Sequence, residues 1–418
     1  MLQRRTIIAA AAGLLLVATI PTLGAAAPSA NDTARFLAGL PPADDSPLAP
    51  LAKDRSWQQH ASVFNGAFER AEKSQLSRIR AWSNANLTSS QSTMFYMFSG
   101  PDFLYANAFY PKAKIYVLSA LEPVGSVPDL TTLRGAVPAE LASLRASLTT
   151  ILSVSFFITK NMKSDLRAGR VNGALPILYV FLVRSGYTIR EVTPVKLDND
   201  GKVQTEAEGS RSTAPGVKIV FAGSDGEART IYYFSTDLSN GGVKNSGFMK
   251  FCETLAPGDS FVKSASYLLH SGNFSTVRDW LIQHSAVMVQ DDSGIPLRYY
   301  DPKKWEFHAF GKYLHPLSIF PGTFQPQYAD LFKKTQPIDF GIGYRHRPGE
   351  TNLLLAARKS HDAEKEGPST SPADAASTSS TGPASAPSTR SRPPSQRRDS
   401  RGWSGFFDGL WRPSPRPR

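Results

Sequence analysis

Ser99, His270 and Asp291 supply the residue types of a hydrolytic triad: a hydroxyl nucleophile, a base and an orienting acid. Ser99 falls at a strand-to-helix turn, His270 ends an apolar helical stretch, and Asp291 follows a buried-looking strand. Loops over one sheet edge could bring all three together. Hydrolysis needs no soluble cofactor, and none is expected. The Gly-x-Ser-x-Gly elbow is missing, however, and His270 before Ser271-Gly272-Asn273 also reads as the close of a helix. Gly258-Asp259-Ser260 reads as a helix start with Asp259 as its cap. No His-Glu-x-x-His occurs, His308 and His315 sit in a loop-like stretch, and no metal site is expected.

A second constellation suits ligand binding. Apolar Thr93 to Phe98, the turn Ser99-Gly100-Pro101-Asp102, helical Phe103 to Phe109 and apolar Lys114 to Ser119 make a strand, turn, helix and strand, followed by Glu122. The interval between the strands is long enough for a parallel crossover. Glu122 lies about twenty residues past Gly100, and the unit resembles the first βαβ of a Rossmann-like nucleotide or S-adenosylmethionine domain. In such domains the helix N-terminus faces the ligand and the acid holds a ribose. Gly100 is the lone glycine of the turn, so the three-glycine fingerprint is absent. Asp102 also reads as a helix cap, and Glu122 as a turn carboxylate before Pro123.

Phe98-Ser99-Gly100-Pro101-Asp102, Leu121-Glu122-Pro123-Val124-Gly125, Lys263-Ser264-Ala265-Ser266-Tyr267-Leu268-Leu269-His270 and Gln290-Asp291-Asp292-Ser293-Gly294-Ile295-Pro296 are together similar to an uncharacterised family of secreted bacterial proteins. The likeness spans about residues 33–357 and implies one folded unit without an assigned activity. Lys263, Tyr267 and Asp292 in these segments join Asp102 and Glu122 as candidate ligand contacts. Arg345 is another, in the cationic turn Tyr344-Arg345-His346-Arg347.

The positioning elements follow from periodicity. Trp57, Ala61, Phe64, Phe68, Ala71, Ile79 and Trp82 predict a long amphipathic helix over 54–84, and Leu141 to Met162 predict another from Pro138 to about Ala168. Strands are expected at Ile177–Val183, Thr188–Val192, Val217–Ala222 and Thr230–Ser235, joined by short turns into an antiparallel meander. Helices are expected at about 245–255, 259–270 and 275–284, and strands at Ala286–Gln290, Leu297–Tyr300 and Trp305–Phe310. The fold class is α/β, mixed α+β: a Rossmann-like βαβ unit in a mixed sheet with a meander and flanking helices.

Residues 1–26, with Arg4, Arg5 and the apolar run Ile7 to Ile20, have the plan of a signal peptide, and Gln3 to Ile8 resembles a twin-arginine signal. A periplasmic or extracellular location is expected, where nucleotide cofactors are scarce. Residues 27–51 read as a loose leader in which Pro steps oppose a lasting helix, 52–359 as one globular domain, and 360–400 as a disordered Ser/Thr/Pro/Ala-rich linker. In 401–418, Trp403, Phe406, Phe407, Leu410 and Trp411 recur at helical spacing as a candidate membrane or partner docking face. Cys252, the sole cysteine, forms no intrachain disulfide and reads as an inert core thiol. The net charge of +12 is scattered, without the aromatic-interleaved stripe of a nucleic-acid surface. The leading expectation is an exported envelope protein whose α/β body binds a small molecule or an envelope partner. A Ser99/His270/Asp291 hydrolase and a degenerate Rossmann-like small-molecule domain are the alternatives.

Overall fold

The computed structural model describes residues 27–156, 169–205 and 214–359. The segment expected as a signal peptide, the Ser/Thr/Pro/Ala-rich linker, the C-terminal aromatic motif and residues 157–168 lie outside them; the helix expected to run to about Ala168 ends at Val154, where Ser155 turns to φ +69.

Ten strands form one mixed sheet: β1 (Thr93–Met97), β2 (Ile115–Ala120), β3 (Thr188–Leu197), β4 (Val203–Thr205), β5 (Ala214–Ala222), β6 (Ala228–Ser235), β7 (Gly258–Val262), β8 (Ser285–Gln290), β9 (Trp305–Gly311) and β10 (Asn352–Arg358). Their spatial order is β4-β3-β5-β6-β2-β1-β7-β8-β10-β9. The middle five, β6, β2, β1, β7 and β8, are parallel neighbours, while both flanks pair antiparallel. The mixed α/β class is as expected. The βαβ unit stands at the centre of the sheet, with Thr93 opposite Ile115 and Met97 opposite Ser119.

Central parallel strands are covered on both faces, so alternate residues serve two cores. Met94 and Tyr96 face one cluster, built with α1 (Ala30–Leu37), α2 (Arg55–Ala71), α3 (Ser77–Asn86), α4 (Phe103–Phe109), α5 (Val137–Val154) and α6 (Leu175–Arg184). Phe95 and Met97 face the other, built with α7 (Asn240–Ser246), α8 (Phe248–Leu255) and α9 (Ser275–His284). Cys252 is buried there with a free thiol.

Several expectations fail for local reasons. Ile177–Val183 is helix, not strand: Pro176 to Val183 are all buried, so the run lacks the polar face that separates a helix from a buried strand. Residues 259–270 are not a helix but β7, a loop and a single 3-10 turn at Leu268–His270. Asp259 is therefore a central-strand residue and caps nothing. The expected 245–255 helix is two, meeting at Gly247 with φ +67. Leu297–Tyr299 is a 3-10 turn rather than strand, and β10 was not foreseen. The supposed loose leader contains α1, whose Ser29 hydroxyl accepts from the Asp32 amide, and whose Phe36 carbonyl accepts from Trp57 Nε1 at 3.0 Å. Phe36 and Leu37 are fully buried, which anchors this segment to the body despite its prolines.

Candidate functional site

In an open sheet with parallel strands, ligands sit beyond the strands' carboxyl ends, where neighbouring connections leave in opposite directions. From β1 the chain crosses to β2 on one side, while β7 pairs on the other. A cleft opens there. The segment after β1 contributes Phe98, Ser99, Gly100 and Asp102; that after β2, Leu121 and Glu122; that after β6, Thr236 and Asp237; and that after β7, Lys263 to Ser266. Phe156 and Tyr344, whose rings meet with centroids 5.1 Å apart, add a side wall. The space is about 910 Å³ with its solvent mouth counted in.

The turn after β1 is tightly folded. Phe98 and Gly100 both have positive φ, +64 and +59, and the Ser99 amide donates to the Ser119 carbonyl at 3.1 Å. Asp102 caps α4 by accepting from the Tyr105 amide through Oδ1 at 3.2 Å. Its other oxygen accepts from Tyr96 Oη at 2.9 Å and lies 2.7 Å from Lys263 Nζ. Lys263 Nζ also donates to the Ser155 carbonyl and lies 4.0 Å over the Tyr105 ring. Burial pushes Asp102 up and Lys263 down, each toward its neutral form, and their mutual attraction opposes that drift. Two donors converging on one oxygen mark Asp102 as a carboxylate.

The loop after β7 is held in a conformation that side chains rarely adopt. Ser264, Ser266 and Tyr267 have φ of +53, +52 and +55. Such strain persists only where the surroundings over-determine it. Here they do: Asp291 Oδ2 accepts from the Ser264 amide at 3.0 Å, Ser293 Oγ from the Ala265 amide at 2.8 Å, and Tyr344 Oη from the Ser266 amide at 3.2 Å. Tyr344 Oη in turn donates to the Ser264 carbonyl at 2.9 Å. Tyr267 Oη donates to Asp292 Oδ2 at 2.5 Å, and Asn352 Nδ2 to Asp292 Oδ1 at 3.1 Å. Burial, helped by the neighbouring Asp292 charge, pushes Asp291 up to about 7.

The candidate residues therefore divide. Ser99, Asp102, Glu122 and Lys263 line the cleft. Asp291, Asp292 and Tyr267 form the layer that supports its β7 loop. His270 packs on that supporting layer, its ring centroid 5.1 Å from that of Tyr267, and Arg345 acts on Asp292 by its charge; neither lines the cleft. The Ser99 hydroxyl donates to the Gly100 carbonyl at 2.7 Å, and among the described residues His270 makes no hydrogen bond to Ser99 or Asp291. Burial lowers His270 to about 4, and its Nε2 has no partner among the described residues. Arg345 donates to the His315 carbonyl at 3.0 Å and lies 3.8 Å from Glu350. Ser264, Ser266, Thr236, Asp237 and Tyr96 were missed as site residues. Ser264 and Ser266 were visible only as part of the Lys263 to His270 segment, which periodicity assigned to a helix.

Two hydroxyls sharpen the chemistry. Ser264 Oγ and Thr236 Oγ1 belong to cleft residues and are buried without a hydrogen-bond partner among the described residues. A buried polar atom left this way costs free energy that a bound ligand or water recovers. Among the described residues no group of three or more His, Cys, Asp or Glu could hold a metal ion. The arrangement offers aromatic walls, hydroxyls and acids for recognition. Compared with protein-family models, curated proteins and solved structures, the chain matches none.

Proposed function

We propose that this chain is a Rossmann-like small-molecule-binding protein, exported by its N-terminal segment, whose ligand carries a ribose or a similar vicinal diol. One observation carries the reading: Gly100, at the turn after β1, and Glu122, just past β2, line the same cleft at the carboxyl ends of the parallel strands. The two hydroxyls without a partner among the described residues and the aromatic side wall support a polar ligand with a flat portion. A Ser99 hydrolase draws no support from this geometry, since the Ser99 hydroxyl is spent on Gly100 and His270 is not among the cleft residues. The C-terminal aromatic segment remains a proposed membrane or partner anchor. Calorimetric titration with adenosine tests the central reading: saturable binding is expected, weakened at least tenfold in Glu122→Gln and with 2′,3′-dideoxyadenosine. Binding indifferent to both changes, or no binding at all, would remove the diol-recognition role.

A further inference from the structure

We propose that the cleft takes nucleosides and rejects their phosphates, with the Asp102–Lys263 pair as the specificity determinant. The inference rests on the ribose-binding reading above and narrows its ligand class to nucleosides. In dinucleotide-binding units a pyrophosphate sits against the turn after the first strand, held by free backbone amides at a helix N-terminus. In this chain that place is already filled by a carboxylate. Asp102 Oδ1 takes the Tyr105 amide, and Oδ2 takes Tyr96 Oη and Lys263 Nζ.

Three further positions of the turn give a phosphate no donor. Ser99 N donates to the Ser119 carbonyl, Phe103 N donates to the Pro101 carbonyl at 2.8 Å, and Pro101 has no N–H to give. α4 has only seven residues, so its dipole is short and Asp102 already satisfies it. Lys263 is the one cation lining the cleft among the described residues, and its three N–H bonds face Asp102, the Ser155 carbonyl and the Tyr105 ring. A phosphate entering here would meet a carboxylate whose counter-charge is fully engaged. Like charges brought together out of water cost several kcal/mol. A neutral 5′-hydroxyl meets no such opposition.

Calorimetric titration of the full chain with adenosine, AMP and ATP tests this at constant ionic strength. Adenosine is expected to bind, with AMP and ATP weaker by about 100-fold or more. AMP binding as tightly as adenosine would overturn the phosphate exclusion and leave the ribose-binding reading standing. Failure of all three would overturn the ribose-binding reading and this inference with it. The paired variant Asp102→Asn/Lys263→Gln removes both charges at nearly constant volume and should narrow the adenosine-to-AMP gap by about tenfold. An unchanged gap would show that the pair does not set the preference. If that variant does not fold, the comparison of the three ligands on the native chain still decides the exclusion.

Discussion

Lys263 Nζ lies 2.7 Å from Asp102 Oδ2 with both side chains 2% exposed, joining the end of β7 to the turn after β1 across the middle of the sheet. The contact ties together two segments 161 residues apart in sequence within the lining of the cleft. Burying two charges is costly, and the pair persists because Tyr96 Oη, the Tyr105 amide and the Ser155 carbonyl satisfy what the ion contact leaves over.

Removing one partner should therefore harm more than removing both. Lys263→Met is expected to lose about 3 to 5 kcal/mol, because it strands the Asp102 carboxylate away from water. Asp102→Leu/Lys263→Met should recover much of that loss. Urea unfolding of Lys263→Met, Asp102→Leu, the double variant and the parent measures the difference, and additive losses would show that the pair is not coupled.

Asp259 gives a pH dependence with a definite sign. It is fully buried in β7, takes one hydrogen bond from the Gln91 amide at 2.8 Å, and has a second oxygen without a partner among the described residues. Burial raises it from 3.8 to about 7. The folded state therefore binds more protons than the unfolded chain, and this contribution to stability is present in acid and lost as pH rises from about 4 to about 7. The full gap corresponds to about 4 kcal/mol. Asp259→Asn keeps an acceptor for Gln91 and should gain about 1 to 3 kcal/mol at pH 8 with little change at pH 4. Denaturant midpoints at the two pH values check it; Asp291, also raised to about 7, leaves a residual slope that this variant should not remove.

How far the sequence could be read depends on which physical rule was in force at each element. β1, α4 and β2 were legible because the turn residues Ser99 to Asp102 separate two apolar runs, and periodicity and punctuation agree there. α6 was not, since a helix buried on every side leaves no amphipathic pattern. β7 was hidden by its own polar residues. Asp259 and Ser260 sit inside a central strand because Gln91 and Ser285 answer them from neighbouring segments, a tertiary fact with no local trace. The same error concealed Ser264 and Ser266. The first half of the cleft was thus readable as spacing, whereas the second half depends on a loop that distant Asp291, Ser293 and Tyr344 hold in place.

Ser155 offers a stabilising substitution. It ends α5 at φ +69, its Oγ is buried without a partner among the described residues, and its carbonyl is what Lys263 uses. Ser155→Gly removes the strain and the orphan hydroxyl while keeping the carbonyl, and should gain about 1 kcal/mol. Ser155→Ala removes the hydroxyl alone and should gain less. Thermal unfolding of both variants separates the two contributions; equal shifts would show that the backbone carries no strain.

Cys252 is fully buried, and burial pushes its thiol well up. Modification by a thiol reagent at pH 8 should therefore require global opening through α8, and its rate should follow unfolding across a denaturant series. Rapid labelling in native buffer would show instead that α8 opens locally.

Gly343 tests whether the β7 loop is set from below. Its φ is +65, and a Cβ there would lie 1.9 Å from Asp291 Oδ2, the atom that accepts from the Ser264 amide. Gly343→Ala must therefore displace the carboxylate as well as strain its own backbone, and a loss of about 2 to 4 kcal/mol is expected. Asp291→Ser shortens the side chain and should cost stability by itself, because the loop loses an acceptor. Combined with Gly343→Ala it removes the clash, so the double variant should be more stable than the sum of the two losses predicts, by about 1 kcal/mol or more. Adenosine affinity supplies the second readout: if Asp291 acts by holding Ser264, both single variants should weaken binding even though neither residue lines the cleft. Strict additivity in the denaturation cycle, together with unchanged affinity, would separate Asp291 from the loop it is argued to hold.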